Sequence, residues 1–506
     1  MQKDNIQLVA NFSSRAPTDA EVRTLSDKAD WLEIRSDLWG EIAPEWIREA
    51  FSGRLLYSLR SRQSGGAFSG STLDRQAKLV AASSTHHLVE LEAIHDFSPA
   101  LLSAIPEEKR IISWYGPAAD VRDLLEKFEW ISQHPAHIYK LVVTGASTTG
   151  LVTLSLLRSL RRSDVVAFCE GPLGLWSRLV APKFGAPLIY AAGAKSSSTA
   201  EPDVHQLISD YGFPKVHPLH RLYGIVGSPV FQSSSPRLHN AAYRKLGVSA
   251  LFVPFQAECF ERFWQEIVES QQLDHLGIPL HGLTIVSPYK EDALGAATTT
   301  SPMVQQTGST NIFVRTGSAW AADTTDPESV LTTTRERGIS VQPKKAAVIG
   351  CGGAGRAVAA ALQQAGADVT LVNRGKERAD KAVKLLGLPF IPLSQFNARG
   401  FSLLVNATPI GRDDTKLPFE IQMLNDDAVV VDLAYGLKPT LLVTDAVAQG
   451  HKVIDGHDVL ISQVRRQFKM MVGREMPDMQ ASEQPESLIS RTIHANSLEC
   501  AAAAGD

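Results

Sequence analysis

The stretch Ala346-Ala347-Val348-Ile349-Gly350-Cys351-Gly352-Gly353-Ala354-Gly355-Arg356-Ala357 is an apolar run that breaks into G-x-G-x-x-G. A strand that turns on such glycines into a helix lets the backbone approach a pyrophosphate, whose charge then sits at the helix N-terminus. The reading is a dinucleotide site lined by Gly350, Gly352, Gly353, Ala354 and Gly355. A second strand, Asp368 to Val372, ends at Asn373-Arg374, where an NAD site would carry an acid for the ribose 2'-hydroxyl. Asn373 is uncharged and is followed by Arg374, Lys376 and Arg378, cations suited to a 2'-phosphate. The expected cofactor is NADP(H).

At 506 residues the chain is too long for one core. Its 44% hydrophobic and 21% charged content is that of a globular protein. The net charge of -4 gives no reason to expect nucleic acid or an anionic membrane as partner, so small molecules are the expected substrates. Cys169, Cys259, Cys351 and Cys500 are far apart and show no metal-binding spacing. A reducing compartment and no metal are expected. The start, MQKDNIQLVANFSSR, has no apolar core of signal-peptide length, and no segment approaches about eighteen apolar residues, so the expected location is cytoplasmic.

Ahead of the glycine run, short apolar stretches recur at 7–12, 31–38, 54–59, 87–93, 110–115, 138–144, 165–169 and 187–192, separated by helix-like segments such as 118–133. This alternation predicts an α/β chain that begins with a (β/α)8 barrel, whose chemistry sits where the strands end. Polar residues late in these stretches are Glu33, Arg35, Arg60, Glu90, Ser113, Tyr115 and Lys140. Lys140 lies in Ile-Tyr-Lys-Leu-Val-Val, where desolvation would lower the pKa of an ammonium and suit it to Schiff-base chemistry. The pattern changes near residue 220. The expected domains are a barrel over 1–218, a smaller α/β domain over 222–330 completed by a helix at 456–475, a dinucleotide domain over 335–455, and a loosely attached tail over 478–506.

The segment Gly227-Ser-Pro-Val-Phe-Gln-Ser233-Ser-Ser235-Pro236-Arg-Leu-His-Asn240 resembles the substrate loop of shikimate dehydrogenases. The resemblance continues through Gly282 to Lys290, Gly308-Ser-Thr-Asn311, Thr324-Thr325-Asp326, the glycine run, Asn406-Ala-Thr408-Pro-Ile-Gly411, Asp432-Leu-Ala-Tyr435 and Asp455-Gly456 through Gln463. It implies a two-domain unit with a Rossmann NADP-binding domain, in which Lys290 and Asp326 are the catalytic pair. It also implies that Ser233, Ser235, Asn311 and Gln463 hold the substrate, with Tyr435 nearby, and that Thr408 lies at the cofactor. Gln232, the run Thr284-Ile285-Val286 and Thr324 depart from the family pattern.

The N-terminal half resembles type I 3-dehydroquinate dehydratase through Glu33-Ile-Arg35-Ser-Asp37, Ser58-Leu-Arg60, Val89-Glu90-Leu91, Tyr139-Lys140-Leu141 and Ser177-Arg178. That implies an imine on Lys140, with Glu33, Arg35, Arg60 and Arg178 on the substrate and Glu90 beside the lysine. The family's Ser-x-His reads Ser113-Trp114-Tyr115 here, its Glu before the paired glycines reads Ser64, and its Gly-Gln reads Ala200-Glu201. His95 mimics the missing motif but falls just past the fourth strand. The implied function is dehydration of 3-dehydroquinate followed by NADPH-dependent reduction of 3-dehydroshikimate to shikimate. Two alternatives stand beside it: a shikimate or quinate dehydrogenase with an inactive barrel, and a quinate-sensing regulator. Intact Lys290, Asp326 and glycine run argue against the regulator, as does the lack of a basic DNA-binding segment.

Overall fold

The computed structural model describes residues 6–479 except 43, 147, 195–200, 343, 413–415 and 437. The tail expected over 478–506 therefore lies almost wholly outside the described residues. The chain forms two compact units, Met1–Gly224 with Gly247–Leu280, and Ile225–Leu246 with His281–Asp506. No helix among the described residues is long and apolar enough to cross a membrane.

In the first unit, β1 (Gln7–Asn11), β2 (Trp31–Arg35), β3 (Arg54–Ser58), β4 (Leu88–Glu92), β5 (Arg110–Pro117), β6 (Ile138–Thr144), β7 (Val165–Cys169) and β8 (Leu188–Ala192) form one parallel sheet. Its order is β7-β6-β5-β4-β3-β2-β1-β8. Among the described residues no ladder joins β7 to β8, so the sheet is a near-closed barrel. All eight strands nonetheless contribute to one interior cluster that includes Val9, Leu56, Ile111, Val166 and Tyr190. The opposite parity, Leu8, Leu32, Val89, Leu141 and Ala167, is equally buried, as a parallel sheet covered by helices requires.

The next sheet contains β9 (Arg221–Gly227), β10 (Ala250–Gln256), β11 (Leu280–Ile285), β12 (Thr299–Thr300), β13 (Ile312–Thr316) and β14 (Ala319–Asp323) in the order β10-β9-β11-β13-β14-β12. The second unit takes the end of β9 from Ile225 and, from His281, the rest of β11 with β12, β13 and β14. The third sheet contains β15 (Lys345–Ile349), β16 (Asp368–Asn373), β17 (Phe390–Pro392), β18 (Leu403–Asn406), β19 (Val429–Asp432) and β20 (Lys452–Ile454). These pair in parallel in the order β17-β16-β15-β18-β19-β20. That is the doubly wound order of a Rossmann domain, whose ligand crevice opens where the order reverses, between β15 and β18. Helix Gly353–Gln364 is buried from Gly355 to Leu362 and packs with Val358 and Leu362 into the core of this sheet.

Candidate active sites

Strand parity decides what faces the barrel interior. Trp31, Leu56, Leu88, Ile111 and Ile138 point inward, and two or four residues later so do Glu33, Ser58, Arg60, Glu90, Tyr115 and Lys140, nearer the C-terminal ends. Lys140 Nζ lies 3.1 and 3.2 Å from the two oxygens of Glu90 and 4.0 Å from Glu33 Oε1. The sequence placed this amine in apolar surroundings; the structure places it between carboxylates, because residues distant in sequence share its parity. Its remaining face lies over the Tyr190 ring, 4.4 Å from the centroid. Glu90 also accepts hydrogen bonds from Ser58 Oγ and Tyr115 Oη, each at 2.5 Å. Burial opposes ionisation of Glu90, but the charges of Lys140 and Arg60 and these hydrogen bonds outweigh it and hold the carboxyl well below the usual range.

Arg60 lies 3.8 Å from Glu33 and stands over the Tyr115 ring at 4.6 Å. Arg35 pairs with Asp37 at 2.8 Å, and Ser113 Oγ donates to the Leu91 carbonyl at 3.4 Å. Arg178 donates to the Tyr190 carbonyl and to Glu201, the acid that stands where the family has an amide. His95 lies exposed in the turn after β4. Among the described residues, buried Glu33 Oε1, Arg60 Nε, Arg178 Nε and Tyr190 Oη have no hydrogen-bond partner. Orphan polar atoms at this density suit an interior that receives a polar ligand. Ser58 and Tyr190 were not singled out from sequence; their inward parity was the available signal.

In the second unit, Lys290 follows β11, Asn311 precedes β13, and Asp326 opens helix Asp326–Glu336 after β14. Lys290 Nζ donates to Asp326 Oδ2 at 2.6 Å. The other oxygen, Oδ1, accepts from Asn311 Nδ2 at 2.9 Å and from Gln463 Nε2 at 2.7 Å. Asn311 is fixed in turn by Thr325, whose backbone N–H donates to its Oδ1 at 2.8 Å. Gln463 arrives on helix Gly456–Val472, whose N-terminus is capped by Asp455. Ser233 Oγ accepts from the Ser235 N–H at 3.2 Å, and the Tyr435 hydroxyl is hydrogen-bonded to Ser233. Gln467, one helical turn after Gln463, is a residue the sequence reading missed. It donates to Thr325 Oγ1 at 3.2 Å and accepts from Thr284 Oγ1 at 3.2 Å. Thr324 Oγ1, where the family carries an amide, is buried without a hydrogen-bond partner among the described residues.

The glycine run divides its labour by position. Gly350 has φ +109°, and a Cβ there would meet the Ala407 carbonyl at 2.8 Å. A Cβ on Gly355 would lie 1.8 Å from the Gly350 oxygen. Gly352 is different: a Cβ there meets nothing within 4 Å, which leaves its backbone open to a ligand. The N-terminus of helix Gly353–Gln364 has no side-chain cap, so its N–H groups are available to a pyrophosphate. Asn373 Oδ1 accepts from the Cys351 N–H at 3.2 Å while Arg374 and Lys376 are exposed beyond it. Thr408 donates to Asn406, which donates at 2.9 Å to Asp432. The residues present fit NADP. A Cβ on Gly353 would lie 3.1 Å from the Lys290 Cβ, so the helix N-terminus adjoins the Lys290–Asp326 pair. Buried Arg356 ties the two regions, donating to the Thr307 and Gly308 carbonyls and to Glu291 at 3.0 Å.

Fold and sites define a two-module α/β enzyme: a parallel barrel around a carboxylate-bound lysine, and a Rossmann reductase unit with a lysine–aspartate pair. Residues 9–217 match the profile of the type I 3-dehydroquinase family, residues 225–313 that of the shikimate dehydrogenase substrate binding domain, and residues 346–391 that of ketopantoate reductase PanE/ApbA. The bifunctional 3-dehydroquinate dehydratase/shikimate dehydrogenase of Arabidopsis thaliana is 25% identical over 89% of this chain and 78% of its own. The shikimate dehydrogenase (NADP(+)) of Halobacterium salinarum is 34% identical over 51% of this chain and 95% of its own. The shikimate biosynthesis protein AroDE of Chlamydia pneumoniae is 25% identical over 72% and 74%. The chain belongs to the shikimate dehydrogenase family, in the bifunctional form that carries a type I 3-dehydroquinase barrel ahead of the dehydrogenase.

Proposed function

We propose that this chain catalyses two consecutive reactions of the shikimate pathway: dehydration of 3-dehydroquinate in the barrel, and NADPH-dependent reduction of the resulting 3-dehydroshikimate to shikimate. One observation carries the second reaction. Lys290, whose ammonium is held at 2.6 Å by Asp326, has its Cβ against the start of the glycine-run helix.

NADPH, when bound, supplies the hydride. Gly350, Gly352, Gly353, Ala354 and Gly355 would hold its pyrophosphate and Asn373, Arg374 and Lys376 its 2'-phosphate end, with Thr408 beside Gly350. Lys290 points its ammonium at the ketone oxygen, polarises it and gives it a proton as the alcohol forms. Asp326 holds and aims the amine, and Asn311 and Gln463 fix the carboxylate that does so. Ser233, Ser235 and Tyr435 take the hydroxyl and carboxylate groups of the ring. In the barrel, Lys140 forms an imine with the ketone of 3-dehydroquinate, Glu90 manages the amine's protons, and Glu33, Arg35, Arg60 and Arg178 surround the polyhydroxy acid. The expected setting is the cytoplasm, with small molecules as the partners.

The test is NADPH oxidation by purified protein with 3-dehydroshikimate. Wild type turns over, and Lys290→Ala loses about 10²- to 10⁴-fold in kcat, the usual worth of a positioned general acid. Absence of NADPH oxidation with this ketone overturns the dehydrogenase reading.

A further inference from the structure

Dehydration through a lysine imine needs a base for the carbon beside the imine and an acid for the departing hydroxyl. A histidine suits both tasks, yet none stands at this centre among the described residues. His86 and His87 lie at the start of β4 and His134 and His137 ahead of β6, at the opposite strand ends, while His95 and His205, the latter on helix Val204–Tyr211, are exposed. What does face Lys140 is Glu90, at 3.1 and 3.2 Å, and Tyr115, whose hydroxyl lies 2.5 Å from Glu90 Oε1. Tyr115 stands one inward position beyond Ser113, which is paired in register with Lys140. Its phenol is therefore one side-chain layer nearer the C-terminal mouth of the barrel than the lysine.

We infer that Glu90 and Tyr115 together form the proton relay of the dehydration, Glu90 as the base and Tyr115 as the acid. The inference rests on the reading of Lys140 as the imine-forming lysine. The Lys140 ammonium and the ketone condense to a protonated imine and one water, with no net change of charge. Glu90 carboxylate then removes a proton from the adjacent ring carbon; the C–H electron pair becomes a C=C bond and the iminium becomes a neutral enamine. The enamine pair next expels the hydroxyl from the following carbon. As that C–O bond breaks, Tyr115 gives the oxygen its phenolic proton and water leaves. Across the 2.5 Å hydrogen bond the Glu90 carboxyl returns its proton to the phenolate. Both side chains are restored, and the conjugated iminium is hydrolysed by one water to release product and Lys140.

The surroundings favour this division. Burial pushes the Tyr115 phenol well above its ordinary value, so it stays protonated and has a proton to give. A donor of that kind delivers a proton only if another group refills it at once, which the contact with Glu90 provides. The Arg60 guanidinium, 4.6 Å from the ring centroid, supplies positive charge while the phenolate exists.

The experiment uses the full chain with 3-dehydroquinate. Borohydride trapping read by intact mass reports the Lys140 adduct, and absorbance of the conjugated product reports dehydration. Tyr115→Phe is expected to keep the adduct and to lose at least about 100-fold in kcat with little change in KM. Tyr115→His, which supplies a group able to serve as both acid and base, is expected to stay within about tenfold of wild type. Adduct formation with a Tyr115→Phe rate within about threefold of wild type overturns the relay and leaves the imine reading intact. Loss of both adduct and dehydration in Tyr115→Phe overturns it as well, since the residue would then act before elimination. If wild type itself gives neither adduct nor product, the barrel reading and the relay fall together.

Discussion

Asp326 and Glu90 hold their lysines in different ways, and the difference decides what each can do. Asp326 shares its oxygens between one ammonium and two amides, Asn311 and Gln463, an arrangement that fixes a cation in place. Glu90 shares its oxygens among an ammonium, a phenol and a serine hydroxyl, each of which carries a proton on the atom that faces it. Glu90 also has a measurable thermodynamic consequence. Its folded-state carboxyl is held below its ordinary 4.5, so near that pH the unfolded chain binds more protons than the folded one. The stability it contributes is complete above about pH 5 and is lost as pH falls. Glu90→Gln should lower stability by about 3 kcal/mol at pH 7, since it leaves a buried amine without its main partner. The gap in urea midpoint between wild type and variant should close towards pH 3. At this scale the sequence was partly legible. The lysines and their acids stood in recognisable strings, but the Arg178–Glu201 pair did not. Glu201 sits far along the chain from Arg178, and which arginine an acid meets is settled by how strands and loops return.

Among the elements, the glycine run is the best test of the argument that glycines serve distinct purposes. A methyl on Gly355 would meet the Gly350 oxygen at 1.8 Å, whereas one on Gly352 would project into open space. Gly355→Ala should therefore destabilise the Rossmann domain itself, lowering the thermal midpoint without any ligand. Gly352→Ala should melt as wild type does and show its effect only as a raised KM for NADPH, by about tenfold or more, because the added methyl stands where the pyrophosphate comes in. Equal melting of the two variants would refute this division. Strand and helix order in this domain was readable because each apolar run carried its own turn signal. Gln467 was not: a polar residue on an amphipathic helix looks solvent-facing until Thr284 and Thr325 are brought against it. Lys140 misled for a related reason, since its flanking residues face outward and say nothing of what lies inside the barrel.

For the molecule as a whole, the two lysine centres lie in different sheets and different compact units. Lys140→Ala and Lys290→Ala should each block a different step, and a mixture of the two purified variants should turn 3-dehydroquinate into shikimate with NADPH although neither does so alone. No shikimate from the mixture would show that the steps depend on one intact chain. The barrel was legible in outline from eight spaced apolar runs; the division into compact units was not, because residues 247–280 rejoin the first unit after 225–246 have entered the second. Gln463 reaches back 137 residues to Asp326. At about 5–20 residues per second on the ribosome, the aspartate emerges roughly 7 to 30 s before the glutamine that braces it. Through that interval the barrel already has every strand it needs, so a nascent chain acquires its lyase half first and waits on helix Gly456–Val472 to become a reductase.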